Sequence, residues 1–216
     1  MSIKVIIFDF DGTLADTLDV LVRITNRLAV EFGYQPTSRE ELDRIRNMSS
    51  REIVARSGVS LFKIPFLLNR VKEDFRGEIH SVNIVPGIKE ALTHLKHEGH
   101  NLGILTSNSE ENVRSVLKQN GMNELFSFVY SETTLFSKHR ILKKFINKNH
   151  LSTEEVIYVG DETRDIEASK RIHIKVVAVS WGFNSREALA HYNPDFLIQH
   201  PSELIEVMSN LEKISV

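Results

Sequence analysis

Apolar runs return along this chain with a regular beat, and helical patterns fill most of the gaps between them. Residues 3–8 (IKVIIF) are almost wholly apolar and rich in β-branched side chains, as expected of a strand covered on both faces of a parallel sheet. Similar runs stand at 101–105 (NLGIL), 126–130 (FSFVY), 156–159 (VIYV), 175–179 (KVVAV) and 196–198. The intervening segments 109–119, 138–147, 163–171, 186–191 and 202–211 carry apolar residues at helical spacing. Strand followed by helix, repeated in this way, predicts an open α/β fold with a parallel sheet.

Residues 16–82 break the beat. Leu18, Leu21, Val22, Leu28, Ala29 and Phe32 fall at near-helical spacing, and Gly33 supplies a stop. Three further helical patterns follow, at 39–46, at 50–56 before Gly58, and at about 65–75, with no strand-like run between them. Val85, Pro86 and Gly87 then mark the return to alternation. The expected organisation is a core built from residues 1–15 and 83–216, with residues 16–82 inserted as an all-helical cap directly after the first strand.

Composition narrows the choice of partners. Lys and Arg number 27 and Asp and Glu 29, a net charge of −2, so the basic excess that nucleic acid or an anionic membrane surface demands is missing. With 41% apolar residues the 216-residue chain has ample material for a core. There is no cysteine, which removes disulfides, thiol nucleophiles and zinc–thiolate sites from consideration. The apolar stretch near the N-terminus is broken at Asp9, too early for a signal peptide, and no window reaches the roughly 18 apolar residues of a membrane span. A soluble, cytoplasmic protein is expected, monomeric or a weak homodimer.

Chemistry gathers where the strands end. The first strand runs into Asp9–Phe10–Asp11–Gly12–Thr13–Leu14, and ligands of open α/β sheets bind beyond the carboxyl ends of strands. Carboxylates at i and i+2 of an extended segment share a side, and a divalent cation would relieve their repulsion. Asp–Gly turns are also plain punctuation. Two more acids lie at an equivalent place: Asp161, after the strand VIYV and Gly160, and Asp165, in the first turn of the next helix. There an acid is also favoured simply by the helix dipole. The strand NLGIL ends in Thr106, Ser107 and Asn108, whose polar groups could meet a phosphate; Ser109 could instead use this cluster to cap the following helix. Lys138 opens a helix, where the dipole disfavours a cation unless an anion faces it; a solvated surface lysine is the competing reading.

Taken in order, DFDGTLADT, LTSNS, Lys138 and GDETRD resemble the motifs of the haloacid dehalogenase superfamily of phosphohydrolases, and the span from VPGIKEAL to SWGFNS resembles its phosphoglycolate phosphatase and β-phosphoglucomutase branch. The resemblance implies a Rossmann-like core of strand order 5-4-1-2-3 with a helical cap after the first strand. It implies Asp9 as nucleophile, Asp11 as general acid/base, and Thr106 and Lys138 holding the transferring phosphoryl group. It further implies Mg²⁺ ligated by Asp9, Asp161 and the backbone carbonyl of Asp11, with Asp165 steadying the metal shell. The expected activity is Mg²⁺-dependent hydrolysis of a small phosphorylated metabolite through an aspartyl phosphate. A phosphomutase of the same fold, or a non-catalytic phosphate-binding regulatory module, is the alternative. The chain departs from the branch at Ser107, where Asn is frequent, and at Ile172–His173–Ile174, where Ala-Gly-Met is frequent.

Substrate choice is expected in the cap. Arg44, Arg46, Ser49, Ser50 and Arg51 surround one interhelical turn, and Arg46, Ser49 and Arg51 are the expected contacts to the substrate beside Thr106, Ser107, Asn108 and Lys138. Either serine could instead cap the helix that follows. His94, His97 and His100 read better as solvated helix-end residues than as a metal cluster, because Gly99 ends the helix before the third. Lys143, Lys144 and Lys148 read as a solvated face, and Trp181 as a packing residue.

Overall fold

A computed structural model describes residues 3–131 and 137–213. Six parallel strands form its central sheet: β1 (Val5–Phe8), β4 (Asn101–Thr106), β5 (Phe126–Ser131), β6 (Val156–Gly160), β7 (Lys175–Val179) and β8 (Phe196–Ile198). Their order is β5-β4-β1-β6-β7-β8. Counted along the chain, that is the expected 5-4-1-2-3 arrangement with a sixth strand added beyond the fifth. β1 lies centrally, with Val5 opposite Asn101 of β4 on one side and Val156 of β6 on the other.

The apolar run of β1 is explained by cover on both faces. Ile6 and Phe8 belong to one cluster with Ile104, Leu92, Val113 and Met208, whereas Val5 and Ile7 belong to another with Leu142, Phe145 and Tyr158. Successive side chains thus enter opposite layers, and all four residues are buried. The first layer is built by α5 (Ile88–His97), α6 (Glu110–Gln119) and α10 (Glu203–Lys213); α7 (Lys138–Lys148) and α8 (Thr163–Arg171) lie on the other side of the chain's alternation, with the short α9 (Arg186–His191) packing Leu189 against Val176 and Ala178.

Between β1 and β4 the chain forms α1 (Leu18–Phe32), α2 (Arg39–Ile45), α3 (Ser50–Arg56) and α4 (Ile64–Glu78). A two-stranded antiparallel pair, β2 (Ala15–Asp16) and β3 (Asn83–Ile84), joins the ends of this excursion. Two-residue strands are too short to leave a period in the sequence, and none is expected there. α1 and α4 run antiparallel, placing Val20, Ile24, Leu28 and Phe75 in one apolar cluster, with Arg27 paired to Glu78 at 2.8 Å. α2 and α3 bury no residue fully; each begins at a serine cap, Ser38 and Ser49. No helix among the described residues is long and apolar enough to cross a membrane.

Candidate active site

The carboxyl ends of β1, β4 and β6 lie side by side, which brings together residues far apart in the chain. Asp9, at the end of β1, is buried, and one carboxylate oxygen each of Asp9, Asp161 and Asp165 fall within 4.8 Å of one another. Lys138 reaches between two of them, its Nζ donating to Asp9 Oδ2 at 2.5 Å and to Asp165 Oδ1 at 2.6 Å while standing 5.3 Å from the centre of the Tyr158 ring. The ammonium is 2% exposed, so the solvated reading is wrong; this lysine opens α7 because anions face it. Burial alone would lower its pKa, but Asp165 and Asp9 outweigh that and hold it well above its ordinary value.

The two aspartates of the first motif part company. Phe10 turns into the core between them, and Gly12 follows in the left-handed region at φ 74°. A β-carbon at Gly12 would sit 2.1 Å from Asp161 Oδ2, so the turn needs glycine for space as well as for conformation. The Asp11 carboxylate is therefore not the partner of Asp9 in the cluster. It meets the Asn108 amide, whose Nδ2 lies 3.2 and 3.3 Å from its two oxygens, and it borders a cavity. Burial first, and the Asp9 charge second, push its pKa up to about 7, against the Thr17 hydroxyl and the Asn108 amide.

Asp161 is held by groups the motif spacing did not point to. Thr13 Oγ1 donates to its Oδ1 at 2.6 Å and the Phe183 backbone N–H to its Oδ2 at 2.7 Å. Its carboxyl titrates well above the ordinary range, through burial and then through Glu162, Asp9 and Asp165. Burial also lifts Asp165 to about 7, with Lys138 opposing the rise and Asp9 adding to it. Beside them Arg164 donates to Glu162 at 2.5 Å, and that guanidinium keeps Glu162 below its usual value although burial works the other way. Thr13, Glu162, Arg164 and the loop residues 182–184 are the members of this centre that sequence reasoning missed. Their only signal lay in the quoted runs DFDGT, GDETRD and SWGFN.

Thr106 is fully buried at the end of β4, its Oγ1 accepting the Asn108 N–H at 3.0 Å. Asn108 Oδ1 accepts both the Ser109 N–H and Asn112 Nδ2, which aims its amide nitrogen at Asp11. Ser109 caps α6 through the Asn112 N–H, its structural reading. Ser107 is partly buried on the same turn. Of the residues 131–137 that precede Lys138, 132–136 lie outside the described residues.

The expected cap contacts scatter. Ser49 forms a capping box with Glu52, its hydroxyl exchanging hydrogen bonds with the Glu52 backbone and carboxylate, which is the capping use the sequence also allowed. Arg46 donates its Nη2 to the Gly182 carbonyl, 3.1 Å away, and thus grips the loop after β7. Arg51 is exposed and borders a small recess with Lys138, His139 and Arg164. Ser50 instead reaches the centre: its Oγ donates to Glu162 Oε2 at 2.9 Å. It also lines a cavity of about 230 Å³ in which Leu18, Leu21, Ile53 and Val54 face Asp11 and Phe183. His100 corrects another expectation, being buried with Nδ1 2.8 Å from the Ile3 carbonyl; His94 and His97 are exposed as read. Trp181 packs on the core and donates Nε1–H to the Thr13 carbonyl.

The donor set at Asp9, Asp161 and Asp165 is carboxylate only, which suits a hard divalent cation of the Mg²⁺ kind. With Asp11 and Glu162 the centre holds five acids against Lys138 and Arg164, an excess of negative charge that such an ion would balance.

Known proteins bear on the same residues. The family model described as haloacid dehalogenase-like hydrolase matches residues 6–179. A phosphoglycolate phosphatase of Synechococcus elongatus is 39% identical over 208 residues, covering 96% of this chain and 98% of its own length. The pyrophosphatase PpaX of Bacillus anthracis is 26% identical over 218 residues, covering 99% of this chain and all of its own. A solved haloacid dehalogenase-like family hydrolase from Streptococcus pneumoniae shares the fold with a TM-score of 0.76 at 22% identity, over 95% of this chain and 98% of that one.

Proposed function

This chain belongs to the haloacid dehalogenase-like hydrolase family, and from that premise we propose that it is a Mg²⁺-dependent phosphatase of small phosphorylated metabolites, similar to the phosphoglycolate phosphatases, acting through an aspartyl phosphate on Asp9. The observation that carries the reading is the division of labour between two neighbouring aspartates. Asp9 lies in the carboxylate cluster with Lys138 on its Oδ2, whereas Asp11 stands outside it, beside the cavity, with a pKa of about 7.

In the first step an Asp9 oxygen forms a bond to phosphorus as the bond to the leaving oxygen breaks, and Asp11 gives its proton to that oxygen. In the second step water attacks phosphorus, Asp11 takes its proton, and the Asp9 carboxylate and phosphate separate. Near neutral pH Asp11 can serve in both directions. Lys138 and Thr106 would hold the phosphoryl oxygens, with the amides of the 106–108 turn beside them. Asp9, Asp161, Asp165 and the Asp11 backbone carbonyl would hold Mg²⁺, which when bound supplies positive charge for the phosphoryl group. Residues 16–82 would act as the cap, with Ile53, Val54, Leu18 and Leu21 meeting the leaving group.

Phosphate release from a panel of phosphate monoesters, phosphoglycolate and inorganic pyrophosphate, with Mg²⁺ present, tests the reading. Activity is expected on at least one monoester, abolished by EDTA and restored by Mg²⁺. Asp9→Asn should lose at least about 10⁴-fold in kcat and keep its circular dichroism spectrum. A folded wild-type protein releasing no phosphate from any of them sinks the proposal.

A further inference from the structure

Asn184 is 1% exposed, and its side chain joins three separate pieces of the molecule. Its Oδ1 accepts the Thr163 N–H at 2.9 Å, at the first residue of α8. Its Nδ2 donates to the carbonyls of Arg46 and Met48, both at 2.9 Å, in the turn between α2 and α3. Its own backbone N–H donates to the Asp161 carbonyl at 3.3 Å. One side of the amide meets an N–H and the other meets two carbonyls, so its orientation is fixed.

Further bonds run in parallel. The Ser185 N–H donates to the Arg46 carbonyl at 2.9 Å, Ser185 Oγ donates to Asn47 Oδ1 at 2.5 Å, and Arg46 Nη2 donates to the Gly182 carbonyl. The loop 182–185 thus grips the turn 46–48 with one face. With the other it sets Asp161, whose Oδ2 it bonds through the Phe183 N–H. Moving the turn away would strand a buried amide that has lost two acceptors.

We propose that Asn184 is a positioning residue that couples the turn 46–48 to the metal-binding carboxylates, so that filling the Asp9–Asp161–Asp165 cluster fastens α2 and α3 over the cavity. The inference rests on the metal-site reading above. Because Thr163 and Asp161 both bond Asn184, any ordering of segment 161–165 is felt at the amide, and through it at the carbonyls of Arg46 and Met48. Linkage is reciprocal: a docked turn also improves the cluster's hold on the ion.

Hydrogen–deuterium exchange on the full chain, with and without Mg²⁺ alone, reads the coupling directly, beside thermal melting as the readout of metal binding. In the wild type, Mg²⁺ should raise Tm and slow exchange across residues 44–50 about fivefold or more. In Asn184→Ala, Mg²⁺ should still raise Tm, but exchange at 44–50 should lose most of its response. Should Asn184→Ala not fold, Asn184→Asp keeps an acceptor for the Thr163 N–H, removes the donor to the Arg46 and Met48 carbonyls, and should lose the response likewise. A full Mg²⁺ response at 44–50 in the folded variant overturns the proposal. So does a wild type whose Tm responds to Mg²⁺ while 44–50 does not. A wild type with no response to Mg²⁺ in either readout overturns the metal-site reading, and this coupling with it.

Discussion

The carboxyl edge of the sheet and the helices above it are held together by opposite means. At the edge Asp9, Thr106, Asn108, Lys138, Asp161 and Asp165 are buried, and most are held from more than one side: Asp161 is bonded by Thr13 and Phe183, Lys138 by two carboxylates, Asn108 by Ser109 and Asn112. In α2 and α3 no residue is fully buried, and the stabilising features are serine caps and hydrogen bonds to the loop 182–185. Burial fixes geometry and raises the pKa values that proton transfer needs; a thin, polar attachment lets a segment differ and move at low cost. On the proposed function, the chemistry belongs to the first region and substrate choice to the second.

The comparison is broken most strongly at Asp11, which faces both regions. Asp11→Asn should lose about 10²–10⁴-fold on alkyl phosphates, whose leaving groups need a proton, and much less on p-nitrophenyl phosphate. Phospho-Asp9 should accumulate, detectable by intact mass, since the base of the second step is gone. Equal loss on both substrates with no adduct would show that Asp11 serves geometry and not proton transfer.

Next comes Gly182, on the buried side. A β-carbon there would lie 2.3 Å from Asp161 Cβ and Oδ2, so Gly182→Ala must displace the carboxylate. We expect about a 10²-fold loss of kcat/KM with every substrate alike, because a displacement of the order of 1 Å is felt by all of them. Ile53→Ala, which trims the cavity wall in α3, should instead change the ranking of substrates by severalfold and leave p-nitrophenyl phosphate hydrolysis within about threefold of wild type. A substrate-dependent effect at Gly182, or a uniform one at Ile53, reverses the assignment of roles.

What the sequence disclosed divides along the same line. The strands and Asp9, Asp161, Asp165 and Lys138 were legible because burial on both sheet faces writes long apolar runs, and the site falls where those runs end. Arg46 and Ser49 could not be assigned from sequence because one turn offers its polar groups to caps, to neighbouring loops or to ligands, and residue type does not distinguish these uses. Ser49 went to Glu52 and Arg46 to Gly182. Asn184 stood inside the run SWGFN without being singled out, since its bonds go to backbone carbonyls of a segment about 140 positions away, which no residue type encodes.

The buried region also predicts its own pH dependence. Asp11 and Asp165 titrate at about 7 in the fold, and Asp161 is raised as well, against an unfolded aspartate value of about 3.9. Groups raised in this way contribute stability that is full below about pH 4 and is lost as pH rises through about 7. The metal-free protein therefore forfeits stability on going from pH 5 to pH 8 at this centre, while a divalent ion, which needs the carboxylates ionised, binds better. The rise in Tm on adding Mg²⁺ should be larger at pH 8 than at pH 5.5, read by calorimetry. An equal rise at both values would mean that the cluster is not the metal site.

The smallest effect lies away from both regions, just past the end of α8, where it measures how much strain the sheet's surroundings tolerate. His173 is exposed and sits in the left-handed region at φ 60°, its N–H donating to the Lys170 carbonyl. Helices commonly leave that position to glycine, and the family branch that the chain resembles often carries glycine there. A β-carbon in this conformation costs about 1–2 kcal/mol, part of which glycine returns through the greater freedom of its unfolded chain. His173→Gly should therefore gain about 0.5–1 kcal/mol, a rise in Tm of about 1–4 °C for a chain of this size, with kcat/KM unchanged. The same substitution at a helical position would be expected to destabilise by a similar amount, because there the β-carbon favours the fold. A fall in Tm for His173→Gly would show that the imidazole makes a contact worth more than the strain it imposes.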